Sequence, residues 1–219
     1  MRRLLVLTVA LVLGGAVMPR IIAAQHVTTQ IDISRMDPGL APDGFTFWRT
    51  GGGEVGDWRV VEDPSASDRQ VIAQTSKDPT DYRFPLAVYR PISAKNVDVV
   101  LRFKPVAGTV DQAGGIVIRL TTPDDYYVVR ANALEDNVRF YRMVKGRREQ
   151  IDGANIKVTS NEWDTLGLRA EDNRFTISFD GNELFSTVDT TFIGLGKVGL
   201  WTKADSVTYF VRIAIPPLD

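Results

Sequence analysis

The sequence predicts an all-β protein built as a two-sheet sandwich, and three observations carry that prediction. Apolar residues alternate with polar ones in run after run, the pattern of half-buried strands. Turn-forming clusters punctuate these runs at short intervals. Beyond residue 24 no stretch carries a convincing helical period, which argues against βαβ units.

In chain order, the first element is a targeting segment. Met1-Arg2-Arg3 is a short basic region, and Leu4 to Val17 is apolar apart from Thr8 and Gly14-Gly15. Ile22-Ala23-Ala24 then supplies a small-residue cleavage site before Gln25. The apolar run falls short of the ~20 residues a membrane span needs. Residues 1–24 therefore read as a cleavable signal peptide, with no stable membrane anchor, and the protein is expected in the periplasm or outside the cell. Residues 25–219 are expected to form one domain, since a domain takes about 100–200 residues.

In the mature chain, Arg49–Asp57 with Gly51-Gly52-Gly53 reads as a loop, and its glycines precede no helix that would cradle a phosphate. Val97, Val99, Leu101 and Phe103 share one strand face, with Asp98, Arg102 and Lys104 on the other. Ile116, Ile118 and Leu120 alternate with Val117 and Arg119. Pro123-Asp124-Asp125 turns the chain into Tyr126, Val128, Arg130 and Asn132 on one face and Tyr127, Val129 and Ala131 on the other. Lys145-Gly146-Arg147 and Glu171-Asp172-Asn173 mark further turns, and Phe175, Ile177 and Phe179 alternate with Arg174, Thr176 and Ser178. Asp180-Gly181-Asn182 is a hairpin signal, because Asp-Gly accepts positive φ at little cost. Val207, Tyr209, Val211, Ile213 and Ile215 form the last run.

Composition limits the chemistry. The 219 residues carry a formal net charge of -1, with 44% hydrophobic and 24% charged residues, so no basic field marks a nucleic-acid partner. There is no cysteine, and His26 is the only histidine. That removes disulfides, thiolate nucleophiles, Cys-built zinc sites and a lipid attachment site, and disfavours His-based triads and multi-His metal sites.

Four stretches carry a resemblance. They are Trp58 to Val61, Gln112 to Val117, the Asp125–Val138 block DYYVVRANALEDNV, and the Gly196–Ser206 block GKVGLWTKADS. In that order they resemble an uncharacterised group of secreted bacterial proteins with a concanavalin A-like (LamG-like) jelly roll. That group is akin to the 3-keto-disaccharide hydrolase, or family-16-glycosidase-like, domains. The resemblance implies a two-sheet antiparallel jelly-roll sandwich, and it transfers fold far better than activity. Related sequences commonly carry Asp-Asp after the last aromatic, where an acidic residue helps hold a structural calcium in many such modules. Here the chain reads Phe210-Val211-Arg212, which argues against that calcium. No other cofactor is expected.

Sugar recognition on such a sheet would use aromatic faces and planar hydrogen-bonding groups. Arg130 and Asn132 are the leading ligand contacts, with Tyr126 as a platform, Arg119, Arg139 and Tyr141 on neighbouring runs, and Trp201 and Lys203 closing the patch. Each also has a structural explanation as core or surface residue. Glycoside hydrolysis would need two carboxyl groups across the scissile bond. Glu162 and Asp164 match the first two acids of a family-16-type signature, but Gly167 stands in the third place, and Trp163 reads as an anchor at the core edge. Glu135 and Asp136 form a second acidic pair, which reads first as a turn. Three functions follow. The leading one is an oligo- or polysaccharide-binding module without catalysis; the others are a glycoside hydrolase, including 3-keto sugars as substrates, and a structural envelope protein.

Overall fold

The computed structural model describes residues 28–216 and Leu218. The signal-peptide segment lies outside the described residues. Fifteen strands follow in order: β1 (Thr29–Gln30), β2 (Phe45–Gly51), β3 (Trp58–Glu62), β4 (Gln70–Gln74), β5 (Arg83–Ala94), β6 (Val97–Ala107), β7 (Ala113–Thr122) and β8 (Asp125–Asn132), then β9 (Asn137–Val144), β10 (Arg147–Asn155), β11 (Asp164–Glu171), β12 (Arg174–Phe179), β13 (Asn182–Val188), β14 (Gly196–Thr202) and β15 (Val207–Ile215). One 3-10 turn, Ile33–Arg35, is the sole helical element among the described residues, and no helix there is long and apolar enough to cross a membrane.

The strands form two antiparallel sheets. Sheet A runs β13-β12-β11-β6-β15-β4-β3, with β1 also on β15; sheet B runs β10-β9-β8-β7-β14-β5-β2. The alternation read from sequence places the core between them. Val97, Val99, Leu101 and Phe103 of β6 and Phe175, Ile177 and Phe179 of β12 face Ile116, Tyr127, Val129 and Phe140 of sheet B. Full burial of such side chains contributes about 1.5–3 kcal/mol each. Tyr127, Phe140 and Phe175 form the aromatic centre, with ring centroids 4.7–5.7 Å apart. The β9–β10 and β12–β13 hairpins turn through Lys145-Gly146 (φ 48° and 75°) and Asp180-Gly181 (φ 48° and 77°), as the Asp-Gly signal predicts for the second.

Two bulges correct the simple alternation. In β7 the register breaks after Ile118, and Arg119 adopts φ 49°. The extra residue exchanges the faces: Arg119 turns in toward the Tyr127 and Phe175 rings, while Leu120 joins the apolar cluster on the other side. In β15 a second break at Arg212 (φ 52°) puts Ile213 and Ile215 in the core after Phe210, so that Tyr209 before it faces outward. On that outer face Lys104 lies over the rings of Trp163 and Tyr209, at 5.0 and 5.3 Å, and pairs with Asp63. Trp163 does pack against the core edge, and its indole N–H donates to Ser65 Oγ at 3.0 Å.

Buried arginines tie the loops at both ends of β5. Past its C-terminal end, Arg119 donates to the carbonyls of Lys95 (3.0 Å), Phe192 (2.7 Å) and Asp172. At its N-terminal end, Arg83 donates to the carbonyls of Glu54 (2.7 Å) and Ala204 (2.6 Å) and to Ser76 Oγ (2.9 Å), with Asp78 at 3.5 Å. A chain without cysteine thus gathers distant loops by guanidinium–carbonyl bonds.

Asp164 opens β11 on its core-facing side, and one of its carboxylate oxygens is buried without a hydrogen-bond partner. Burial, reinforced by the charges of Asp180 and Glu162, raises its pKa to about 7.

Two outcomes follow from these features. Arg119→Met leaves three carbonyls without their donor, at about 1–3 kcal/mol for each buried unsatisfied group. Urea unfolding should report a loss of about 3 kcal/mol or more, and a loss below about 1 kcal/mol would remove the clamp from the account. For Asp164 the folded-state pKa lies above the unfolded value of 3.8, so the folded state holds the proton more tightly. Its stability contribution is complete at acid pH and is lost as pH rises from about 4 through about 7. Asp164→Asn should therefore melt higher than the parent at pH 8, with the difference shrinking toward zero at pH 4.

Candidate functional site

The face of sheet B turned away from sheet A is apolar over most of its area. Phe84 and Leu86 of β5, Trp201 of β14, Val117 of β7, Tyr126 and Val128 of β8 and Met143 of β9 form a second buried cluster there. Neighbouring strands twist by about 20–25°, and the accumulated twist brings separated strands together across this face. The Tyr126 hydroxyl of β8 meets Thr50 Oγ1 of β2 at 2.8 Å, and Thr50 in turn donates to the Pro123 carbonyl of the β7–β8 turn. Tyr82, just before β5, donates to the Gly146 carbonyl and accepts from the Arg148 N–H, both at 2.9 Å. The sheet is rolled, and the inside of the roll is filled by its own side chains.

Polar groups gather along the rim of the roll. The Arg148 guanidinium of β10 lies 5.0 Å from the Phe84 ring centroid and 4.6 Å from that of Tyr141. Arg130 donates to Tyr141 Oη (3.2 Å), to Glu135 Oε2 (2.7 Å) and to Asn137 Oδ1. Burial works to raise the Glu135 carboxyl, but Arg130 outweighs it and holds the group below its ordinary range. Farther along, Asn132 donates to Asp111 Oδ1 at 2.9 Å, and Lys203 bridges Asp111 (3.0 Å) and Asp81 (2.7 Å). Desolvation raises the Asp111 pKa even with Lys203 beside it.

The residues picked from sequence divide by depth. Arg130, Asn132, Tyr141 and Lys203 meet at the rim, where Arg130, Asn132 and Tyr141 are almost wholly buried and brace the groups above them. Arg139 lies half-buried on the same face, opposite Arg130 and over Gly153, where a Cβ would stand 2.4 Å from Arg139 Cδ. Tyr126 and Trp201 are fully buried in the roll and offer no exposed platform; burial also pushes the Tyr126 phenol well above its usual pKa. Arg119 is not brought together with them, because the β7 bulge turns it to the core side. Sequence reading missed Arg148, Asp81 and Asp111. The motif Lys145-Gly146-Arg147-Arg148-Glu149-Gln150 reads as a solvated hairpin, and nothing local signals that Phe84 will lie against it.

The four candidate catalytic acids fall into two pairs at separate places on the sandwich, and the charge of Glu162 acts on Asp164. Glu135 is tied to Arg130, and Asp136, whose carboxyl Lys157 holds below its usual range, accepts from Lys157 Nζ at 3.0 Å and the Val158 N–H at 3.3 Å. Glu162 is exposed in the turn before β11, so Asp164 alone of that pair is in the strand. Glu135 and Asp136 lie in a hairpin of sheet B, whereas Asp164 belongs to sheet A. Among the described residues no three His, Cys, Asp or Glu side chains come together around a metal-sized point. The Asp205 carboxylate is taken up by the backbone N–H groups of Thr109 (2.7 Å), Val110 (3.0 Å) and Asp111 (3.0 Å). Arg212 reaches instead to Ser67 Oγ at 2.9 Å.

No protein-family model and no curated protein matches the sequence. Among solved structures, the chain is similar to the carbohydrate-binding module CBM66 from Bacillus subtilis, at 18% identity and TM-score 0.61 over 80% of this chain and 97% of that one. It is also similar to domain 4 of AbnA, a GH43 extracellular arabinanase from Geobacillus stearothermophilus, in complex with arabinotriose. There the identity is 12% and the TM-score 0.58 over 86% and 90% of the two chains. A third similarity is to the Bacillus licheniformis β-glucanase, at 12% identity and TM-score 0.53 over 83% and 95%. A binding module and a hydrolase thus share the architecture, and at such identities the likeness is one of fold. The chain has the fold of a two-sheet antiparallel jelly-roll sandwich.

Proposed function

We propose that the chain is an exported carbohydrate-binding sandwich without catalysis of its own, with its site on the rim of the rolled sheet. The observation that carries this reading is the Arg148–Tyr141 stack, flanked on the same sheet face by Gln150 and Arg139. Tyr141 itself is buried, and the planar donors that it and its neighbours hold along the rim suit a sugar, whose hydroxyls need directed hydrogen bonds. The fold shared with a carbohydrate-binding module and with an arabinotriose-bound domain supports the same reading. The absence of catalysis is supported by the ties of Glu135 to Arg130 and of Asp136 to Lys157, and by Gly167, which stands where a third acid would follow Glu162 and Asp164. Export rests on the basic, apolar and small-residue order of residues 1–24.

Titration of the protein against a panel of neutral and acidic polysaccharides should detect binding without release of new reducing ends. Arg148→Ala combined with Gln150→Ala should weaken that binding at least about tenfold, or ~1.4 kcal/mol. Asp136→Ala, on the outer turn, should leave it unchanged. Absence of binding to every member of the panel overturns the glycan reading, and steady release of reducing ends overturns the non-catalytic one. Expressed with its leader in a bacterial host, the exported form should begin at Gln25 by mass spectrometry; an unprocessed chain retained in the cytoplasm would count against export.

A further inference from the structure

We propose that the rim selects an acidic saccharide, a polymer or oligomer bearing uronate carboxylates, held by Arg139 and Arg148; this inference rests on the glycan-binding reading above. Its basis is an imbalance of charge. Lys203 is matched by Asp111 and Asp81, and Arg130 is matched by Glu135. Neither Arg139 nor Arg148 has a carboxylate partner among the described residues. Asp81 feels Arg148 only through space, while its contact is with Lys203. Asp152, on the same strand as Arg148, turns its carboxylate onto the Gly153 N–H at 2.7 Å.

Both arginines are nevertheless held in place. Arg139 lies flat over Gly153 and donates to Asn155 Oδ1 at 2.6 Å. It stands directly opposite Arg130 across the β8–β9 pair, a like-charge juxtaposition that disfavours folding. Arg148 is gripped between two aromatic rings, and its guanidinium donates no hydrogen bond to any described residue. Its Nη1 is shut off from solvent without an acceptor. A buried donor of this kind costs free energy, and it leaves the remaining guanidinium nitrogens to meet any acceptor from outside. Tyr141 and Gln150, opposite each other in the β9–β10 register, separate the two arginines. Each therefore offers a separate carboxylate of one saccharide chain a planar cation suited to bidentate recognition, with the exposed Gln150 amide between them left for the sugar hydroxyls.

The probes are polygalacturonate, alginate and hyaluronate, each paired with its carboxyl-reduced, neutral counterpart of the same backbone and length. Isothermal titration at low salt should give at least tenfold tighter binding to one acid form than to its reduced partner. Raising sodium chloride should weaken only the acid form. Arg139→Gln should abolish the preference while keeping the far-ultraviolet circular dichroism spectrum and a cooperative melt, and Arg148→Gln should do the same. Equal affinity for acid and reduced forms overturns the inference and leaves the glycan reading standing. Binding to neutral panel members alone does likewise. No binding to any acidic or neutral glycan removes both.

Discussion

Everything about the candidate site depends on one constraint: sheet B has to bury apolar side chains on both of its faces. One face packs on sheet A in the ordinary way. The other carries Phe84, Leu86, Trp201, Tyr126 and Met143, which no second layer covers, so the sheet rolls and covers them itself. The Tyr126–Thr50 contact is the visible result, joining strands separated in the sheet by β7, β14 and β5. Polar chemistry is thereby displaced from the floor of the roll to its rim. The same rolling presses β10 toward the start of β5 and creates the stack of Arg148 on Phe84. A site made in this way is shallow, and its deepest polar members act as supports rather than contacts.

Much of this was legible in the chain. Strict alternation located the core faces of β6 and β12, and the inward and outward faces of β8 and β14, because a two-residue period leaves no freedom once one face is apolar. The turn residues located the hairpins for an equally local reason. The failures have one physical origin, which is that bulges and long-range contacts leave no local period. Arg119 and Leu120 exchange faces because a single left-handed residue resets the count, and Tyr209 and Ile213 part company at Arg212 in the same way. Tyr126 and Trp201 carried the right residue types for a sugar platform, but their burial follows from the roll of the sheet, which no single strand encodes. Arg148 was missed because its partners come from β5 and β9 and not from its own hairpin turn.

Local chemistry also separates the two buried arginines from the two at the rim. Arg83 and Arg119 meet several backbone carbonyls each, and their desolvation is offset by charge-assisted hydrogen bonds. Arg148 has stacking instead, and Arg139 has the Asn155 amide and one long bond to the Val138 carbonyl. The contrast is informative because all four lie in the same fold with the same side-chain type. Structural guanidiniums here are saturated, whereas those at the rim are held but unsaturated.

The Arg119 clamp has a kinetic consequence. Its acceptors lie 24, 53 and 73 residues away, on loops that connect strands of both sheets. We expect such contacts to close after the sheets dock and to add little to the folding transition state. Interactions formed after that barrier slow unfolding without hastening folding. For a chain that has no disulfide to hold it, a late-closing clamp converts a modest equilibrium gain into a longer native lifetime.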